Sequence, residues 1–323
     1  MTPDELLIVR NMSATYRLSG GRQLTAVANV SFTVHRGETL GLVGESGCGK
    51  STVGRSIMQL PPPTGGSVIF EGHDLTKLDA ETLRLSRMRL HMIFQDPFSS
   101  LNPRRRVRDI VAEPMAIAGV GDAEERGRRI RSALEAVSLD PDQVMNRRPH
   151  EFSGGQCQRI AIARALIQEP HLVVCDEPVS ALDVSVRAQI LNLLEDMKAR
   201  YSLTLLFISH DLAVVKNISD RVAVMYLGRL CELASSARLY EAPMHPYTAA
   251  LMAAIPVMEP DKRPDPSRLL AGELPSPIDP PSGCRFRTRC PRAAARCAEL
   301  DPQWKEAEPG HFVACHFPLG SST

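Results

Sequence analysis

One octapeptide constrains this 323-residue chain more than any other feature. Residues Gly44–Ser51 read GESGCGKS, a fit to G-x-x-x-x-G-K-[ST], and they follow the apolar run TLGLV at 39–43. Glycines in such a loop let backbone amides turn inward around phosphate oxygens, and the helix that follows aims its positive end at the same anion. The chain therefore has to contain a strand–loop–helix unit. Within it Gly44, Ser46, Gly47 and Gly49 are expected to line a nucleotide's phosphates. Lys50 is expected on the β- and γ-phosphates, Ser51 on Mg²⁺ and Thr52 on the α-phosphate.

The flanking sequence predicts an α/β core. Residues 6–9, 26–34, 39–43, 68–70 and 90–95 predict short strands, and 109–139, 154–168 and 184–200 predict helices. The near-continuous apolar runs LVVC at 172–175 and LTLLFI at 203–208 suit buried parallel strands. Alternation of strand and helix points to a parallel sheet. LVVCDE delivers two carboxylates at a strand's carboxyl end, where ligands collect in open α/β sheets. Asp176 is expected to support the metal and Glu177 to act as general base on water. His210, at the end of LTLLFIS, is placed to donate to a γ-phosphate.

Further motifs resemble those of the ABC ATPase family. Phe152–Gln156 (FSGGQ) resembles its signature, with phenylalanine in place of the usual leucine, and Gln95 in IFQDP resembles its Q-loop. SALD at 180–183, with Asp183, resembles the D-loop, His210 the switch histidine, and Tyr16 the aromatic that stacks on adenine. These motifs cover residues 1 to about 255. The resemblance implies a P-loop core with an antiparallel β subdomain and a helical subdomain over about 95–165. It implies that Ser153, Gly154, Gly155 and Gln156 contact the nucleotide of a partner ATPase, and that Gln95 joins Ser51 and Asp176 at the Mg²⁺. MIFQDPFSSLNPR, HEFSGGQCQRI, CDEPVSALDVS, HPYTAAL and GELPSPIDPPSGCRFRTRCP resemble ATPase subunits of bacterial oligopeptide and dipeptide importers. That implies ATP hydrolysis driving peptide uptake, on the cytoplasmic side of the cytoplasmic membrane. The implied partners are a sister ATPase, two membrane-spanning permeases and an extracytoplasmic substrate-binding protein. Import of nickel, glutathione or another small solute is the near alternative, and a soluble ABC ATPase acting on DNA or ribosomes the distant one.

Composition narrows these alternatives. A formal net charge of +1 gives no electrostatic footprint for nucleic acid. No apolar run approaches the roughly 18–20 residues of a membrane-spanning helix, and Asp4 and Glu5 near the amino terminus are unlike a signal peptide, so attachment to a membrane is expected through partners. Arg104, Arg105, Arg106 and Arg108 form a basic patch after the Q-loop, and Arg126, Arg128, Arg129 and Arg131 a helix's wet face.

Eight prolines among residues 256–283 predict an extended linker, followed by a Cys-rich metal-binding module at 284–323. Cys284, Cys290, Cys297 and Cys315 could enclose zinc or an iron–sulfur cluster, and their spacing does not choose between them. His311 or His316 could replace a thiolate. Resemblance to the peptide importers favours a 4Fe–4S cluster, with Zn²⁺ the alternative. A module of about forty residues needs such a staple to fold.

Overall fold

A computed structural model describes residues 2, 4–255 and 272–320. Most of the predicted linker, residues 256–271, lies outside the described residues. The chain divides into two units. One comprises Met1–Leu6, Val34–Glu38 and Glu71–Ile208, the other Leu7–Thr33, Thr39–Phe70 and Ser209–Thr323.

In the first unit the strands Leu90–Ile93, Leu172–Asp176 and Thr204–Ser209 pair in parallel, with Met92 opposite Val174 and Val174 opposite Leu206. Every residue of Leu172–Asp176 is buried, which is why that run is apolar without alternation. Helices Val107–Ala118, Ala123–Ala136 and Gly154–Leu166 occupy the predicted helical region. The single helix expected over 109–139 is two. Gly119 takes φ 69° at the first helix's end, and the Asp122 carboxylate accepts from Glu125 N at 2.8 Å to start the second. Two of the exposed arginines here form close ion pairs, Arg105 with Glu113 and Arg128 with Glu124, each at 2.7 Å.

In the second unit Glu5–Arg17 pairs antiparallel with Gly65–Phe70. The strand Thr39–Val43 runs parallel to Arg221–Tyr226, which turns antiparallel into Arg229–Ser235. The array then continues into the tail, through His311–Val313 and Lys305–Glu308. Residues 305–313, expected within the small Cys-rich module, add strands to the array that also carries Thr39–Val43. Phe286 seals the join, its ring centroid 5.2 Å from that of Tyr226 and 5.3 Å from that of Tyr247. Burying that one ring is worth roughly 2 kcal/mol.

A buried carboxylate fixes the tail as well. Glu232 accepts from Met244 N at 2.6 Å, His245 N at 2.8 Å and His311 Nε2 at 2.7 Å, and both members of the Glu232–His311 pair are buried. Among the described residues, no helix is long and apolar enough to cross a membrane.

Candidate functional site

The predicted site residues fall into two groups, one in each unit. In the second unit the buried strand Thr39–Val43 feeds the glycine loop, and helix Lys50–Ile57 follows directly. Gly49 adopts φ 108°, and a Cβ there would lie 2.3 Å from the Ala26 carbonyl oxygen; at Gly44 it would lie 2.1 Å from that of Met225. Both positions need glycine for want of space as well as for conformation. Lys50 is buried and its Nζ donates to the Gly44 and Glu45 carbonyls at 2.8 and 3.0 Å. The loop is thus drawn around the ammonium that the motif assigns to phosphate. Ser46 and Gly47 are exposed, Ser51 and Thr52 partly so, and Tyr16 is half-buried on Glu5–Arg17. His210 is exposed, and the neighbouring Asp211 caps helix Leu212–Ile218 through Ala213 N and Val214 N.

Tyr247 belongs to this group and was not foreseen. Its hydroxyl accepts from Glu45 N at 3.0 Å, across 202 residues of sequence. HPYTAAL carried the resemblance to peptide importers without assigning the tyrosine a role.

In the first unit the strand Leu172–Asp176 ends in Asp176, 1% exposed, and Glu177, 8% exposed. Glu177 sits in the left-handed region, φ 47°, with its N–H on the Ile208 carbonyl at 3.0 Å. A non-glycine residue held there is strained, and such strain concentrates where a side chain has to be aimed. Gln95 Nε2 donates to Glu177 Oε2 at 3.2 Å, so the predicted Q-loop glutamine touches the predicted base.

The signature forms the helix start expected of it. Ser153 Oγ accepts from Gln156 N at 3.4 Å and Gln156 Oε1 accepts from Ser153 N at 3.0 Å, a reciprocal capping box. Ser153 and Gln156 are exposed, and Gly154 and Gly155 partly so. The front of the thirteen-residue helix therefore faces outward. Asp183 is exposed at the start of helix Val184–Tyr201, next to Val184 at 81% exposed. Burial pushes the thiols within the motifs up, Cys48 and Cys157 to about 11 and Cys175 to about 12, which leaves them protonated and inert.

Cys284, Cys290, Cys297 and Cys315 all line one recess, together with Phe286 and Phe317. Among the described residues, however, no group of three or more His, Cys, Asp or Glu is arranged to hold a metal ion, so the geometry gives the predicted zinc or cluster ligation no support. The two histidines offered as substitute ligands are engaged elsewhere. His311 Nε2 donates to Glu232, and His316 Nε2 contacts the Leu300 carbonyl at 2.9 Å.

Comparison with known proteins bears on the whole assembly. The ABC transporter family model matches residues 27–180, and that of the oligopeptide/dipeptide transporter C-terminal region matches 231–297. The oligopeptide transport ATP-binding protein AppF of Bacillus subtilis is 53% identical over 295 residues, 90% of this chain and 89% of its own length. OppF of Haemophilus influenzae, also an oligopeptide transport ATP-binding protein, is 48% identical over 320 residues, 96% of each chain. Among solved structures, the dimeric bacterial ABC transporter cassette MJ0796 is similar at a TM-score of 0.66 and 29% identity, covering 72% of this chain and 99% of that one. Its post-hydrolysis dimer bound to ADP and Pi scores 0.65. Glycine loop, carboxylate strand end and signature helix thus lie on an ATP-binding cassette of mixed α/β sheets, and the chain belongs to the ABC transporter family, with the C-terminal region of the oligopeptide/dipeptide transporters.

Proposed function

We propose that this chain powers an importer of oligopeptides or dipeptides, as one of two ATPase subunits on the cytoplasmic face of the membrane. Its reaction is ATP hydrolysis. The observation that carries the mechanism is the Gln95–Glu177 contact at the end of a buried strand. It supports Glu177 as the base that takes the proton of the attacking water, with Gln95 reporting on its state. Lys50 and the loop amides of Gly44, Ser46, Gly47 and Gly49 hold the phosphates, Thr52 the α-phosphate, and Tyr16 stacks on adenine. His210 steadies the γ-phosphate. The oxygen donors of Ser51, Gln95 and Asp176 are of the hard kind that suits Mg²⁺, which when bound neutralises phosphate charge.

The exposed helix start at Ser153 supports a contact in trans, since the positive end of a helix is an anion receptor. Closure of two ATPases over nucleotide, with Asp183 and Val184 at the contact, would then be relayed to membrane partners. An open recess of about 500 Å³, lined by Ser99–Arg104, Glu113 and Arg164, follows Gln95 in sequence and supports docking of a permease loop there. The partners are a sister ATPase, two permeases and a substrate-binding protein outside the membrane. The peptide cargo rests on the names of the relatives and on the C-terminal region.

The 4Fe–4S reading of the cysteine recess, with Zn²⁺ the alternative, rests on the tail's resemblance to the peptide importers.

Isolation of the native complex tests the reading. Two permeases, a second ATPase and ATP-dependent uptake of a labelled tripeptide into proteoliposomes are expected. Uptake of nickel or glutathione but not peptide, or DNA-stimulated hydrolysis without membrane partners, overturns it. Anaerobically purified protein should be brown with about four irons per chain. Stoichiometric zinc without colour refutes the cluster.

A further inference from the structure

The phosphate loop carries a carboxylate directly after its first glycine. Glu45 stands in a segment built to receive a polyanion, where an unpaired negative charge would oppose binding. The C-terminal segment supplies its partner. Arg289 Nη1 donates to Glu45 Oε2 at 2.7 Å and Nη2 to Oε1 at 3.1 Å, a two-pronged pair across 244 residues of sequence. The Arg289 side chain is only 5% exposed and that of Glu45 28%, so water screens the pair weakly. The guanidinium also lies 5.8 Å from the ring centroid of Tyr226.

Glu45 is thereby fixed at both ends, its backbone N–H on the Tyr247 hydroxyl and its side chain on Arg289. Its carbonyl accepts from Lys50 Nζ at 3.0 Å, so displacement of Glu45 passes directly to the phosphate-binding ammonium. We propose that Arg289 is a positioning residue of the nucleotide site: it neutralises Glu45 and fixes the mouth of the phosphate loop from the C-terminal segment. The proposal rests on GESGCGKS being the loop that binds ATP. A unit charge on the order of 10 Å from a phosphate charge, at an effective dielectric of about 20, changes affinity roughly tenfold. Lysine cannot reproduce the fork, which requires a planar guanidinium.

The test uses the full chain with its partners. Affinity for a fluorescent ATP analogue, KM and kcat are measured at fixed ionic strength for Arg289→Ala, Arg289→Lys, Glu45→Gln and the Glu45→Gln/Arg289→Ala double variant. Arg289→Ala should weaken nucleotide binding about tenfold, the loss falling on KM rather than kcat, and Arg289→Lys should recover only part of it. The Glu45→Gln/Arg289→Ala double variant, which lacks both charges and keeps the net charge of the pair, should bind nucleotide within about threefold of wild type. If Arg289→Ala does not fold, Arg289→Gln, which keeps the stem without the charge, takes its place with the same expectation. Nucleotide affinity of Arg289→Ala within twofold of wild type, or a double variant as weak as Arg289→Ala, overturns the proposal. Failure of the phosphate-loop reading itself is separate, and would show as unchanged ATP binding in Lys50→Ala.

Discussion

Replacing Glu177 by glutamine separates chemistry from binding more cleanly than any other single change in this chain. The two side chains have the same shape, and the backbone N–H that ties residue 177 to the Ile208 carbonyl at 3.0 Å is untouched. The left-handed backbone, φ 47°, costs glutamine no more than glutamate. The contact from Gln95, 3.2 Å long, can be kept, because the amide oxygen of the new residue still accepts. The folding cost should therefore stay below about 1 kcal/mol, the net worth of one such hydrogen bond. What disappears is the base. A positioned general base contributes roughly 10²–10⁴ in rate, about 2.7–5.5 kcal/mol on the barrier. Phosphate release should show kcat down at least a hundredfold with KM within about threefold, and size-exclusion chromatography in ATP should show an accumulating dimer. A kcat within fivefold of wild type, or a loss carried by KM, would refute the role given to Glu177.

Three further perturbations read other parts of the molecule. Glu232→Ala leaves Met244 N, His245 N and His311 Nε2 without their acceptor, and should lower stability by roughly 3–5 kcal/mol in urea unfolding; a midpoint unchanged from wild type would contradict the anchoring role of the pair. Ser153→Ala removes one capping acceptor worth about 1 kcal/mol, and should depress ATP hydrolysis far more than it depresses nucleotide binding to the isolated chain. Burial lowers the His91 pKa even though Nε2 meets Gln168 Oε1 at 3.0 Å, so the unfolded chain binds the extra proton first. Stability present above about pH 6.5 should then fall as the pH drops below it, and His91→Gln should flatten that slope in urea midpoints taken at pH 7.5 and 5.5.

The parts of the site legible in the sequence are those whose chemistry is local. GESGCGKS, LVVCDE and FSGGQ each place donors or carboxylates by backbone geometry within a few residues, and the structure puts them at a strand end or a helix start as that geometry requires. The break between the two helices of the helical region was equally local, since Gly119, Gly121 and the capping Asp122 stand together; the periodic apolar spacing on either side outweighed them. The strands of the tail were silent in the sequence for a different reason. Proline content and crowded cysteines mark a boundary only if nothing beyond them pairs with the core. His311–Val313 is three residues long, too short for an alternating pattern to register, yet it satisfies the edge of Arg229–Ser235. The same limit hid Tyr247 and Arg289. A hydroxyl and a guanidinium that meet Glu45 from 202 and 244 residues away leave no periodic or compositional trace, because the chain closes those contacts only after its strands have paired. Glu45 itself held the available clue: a carboxylate in a loop that binds a polyanion demands a cation from somewhere, and the arginine-bearing run CRFRTRC was the place to look. Charge balance at a site whose ligand is already legible thus reaches across sequence distances at which periodicity is silent.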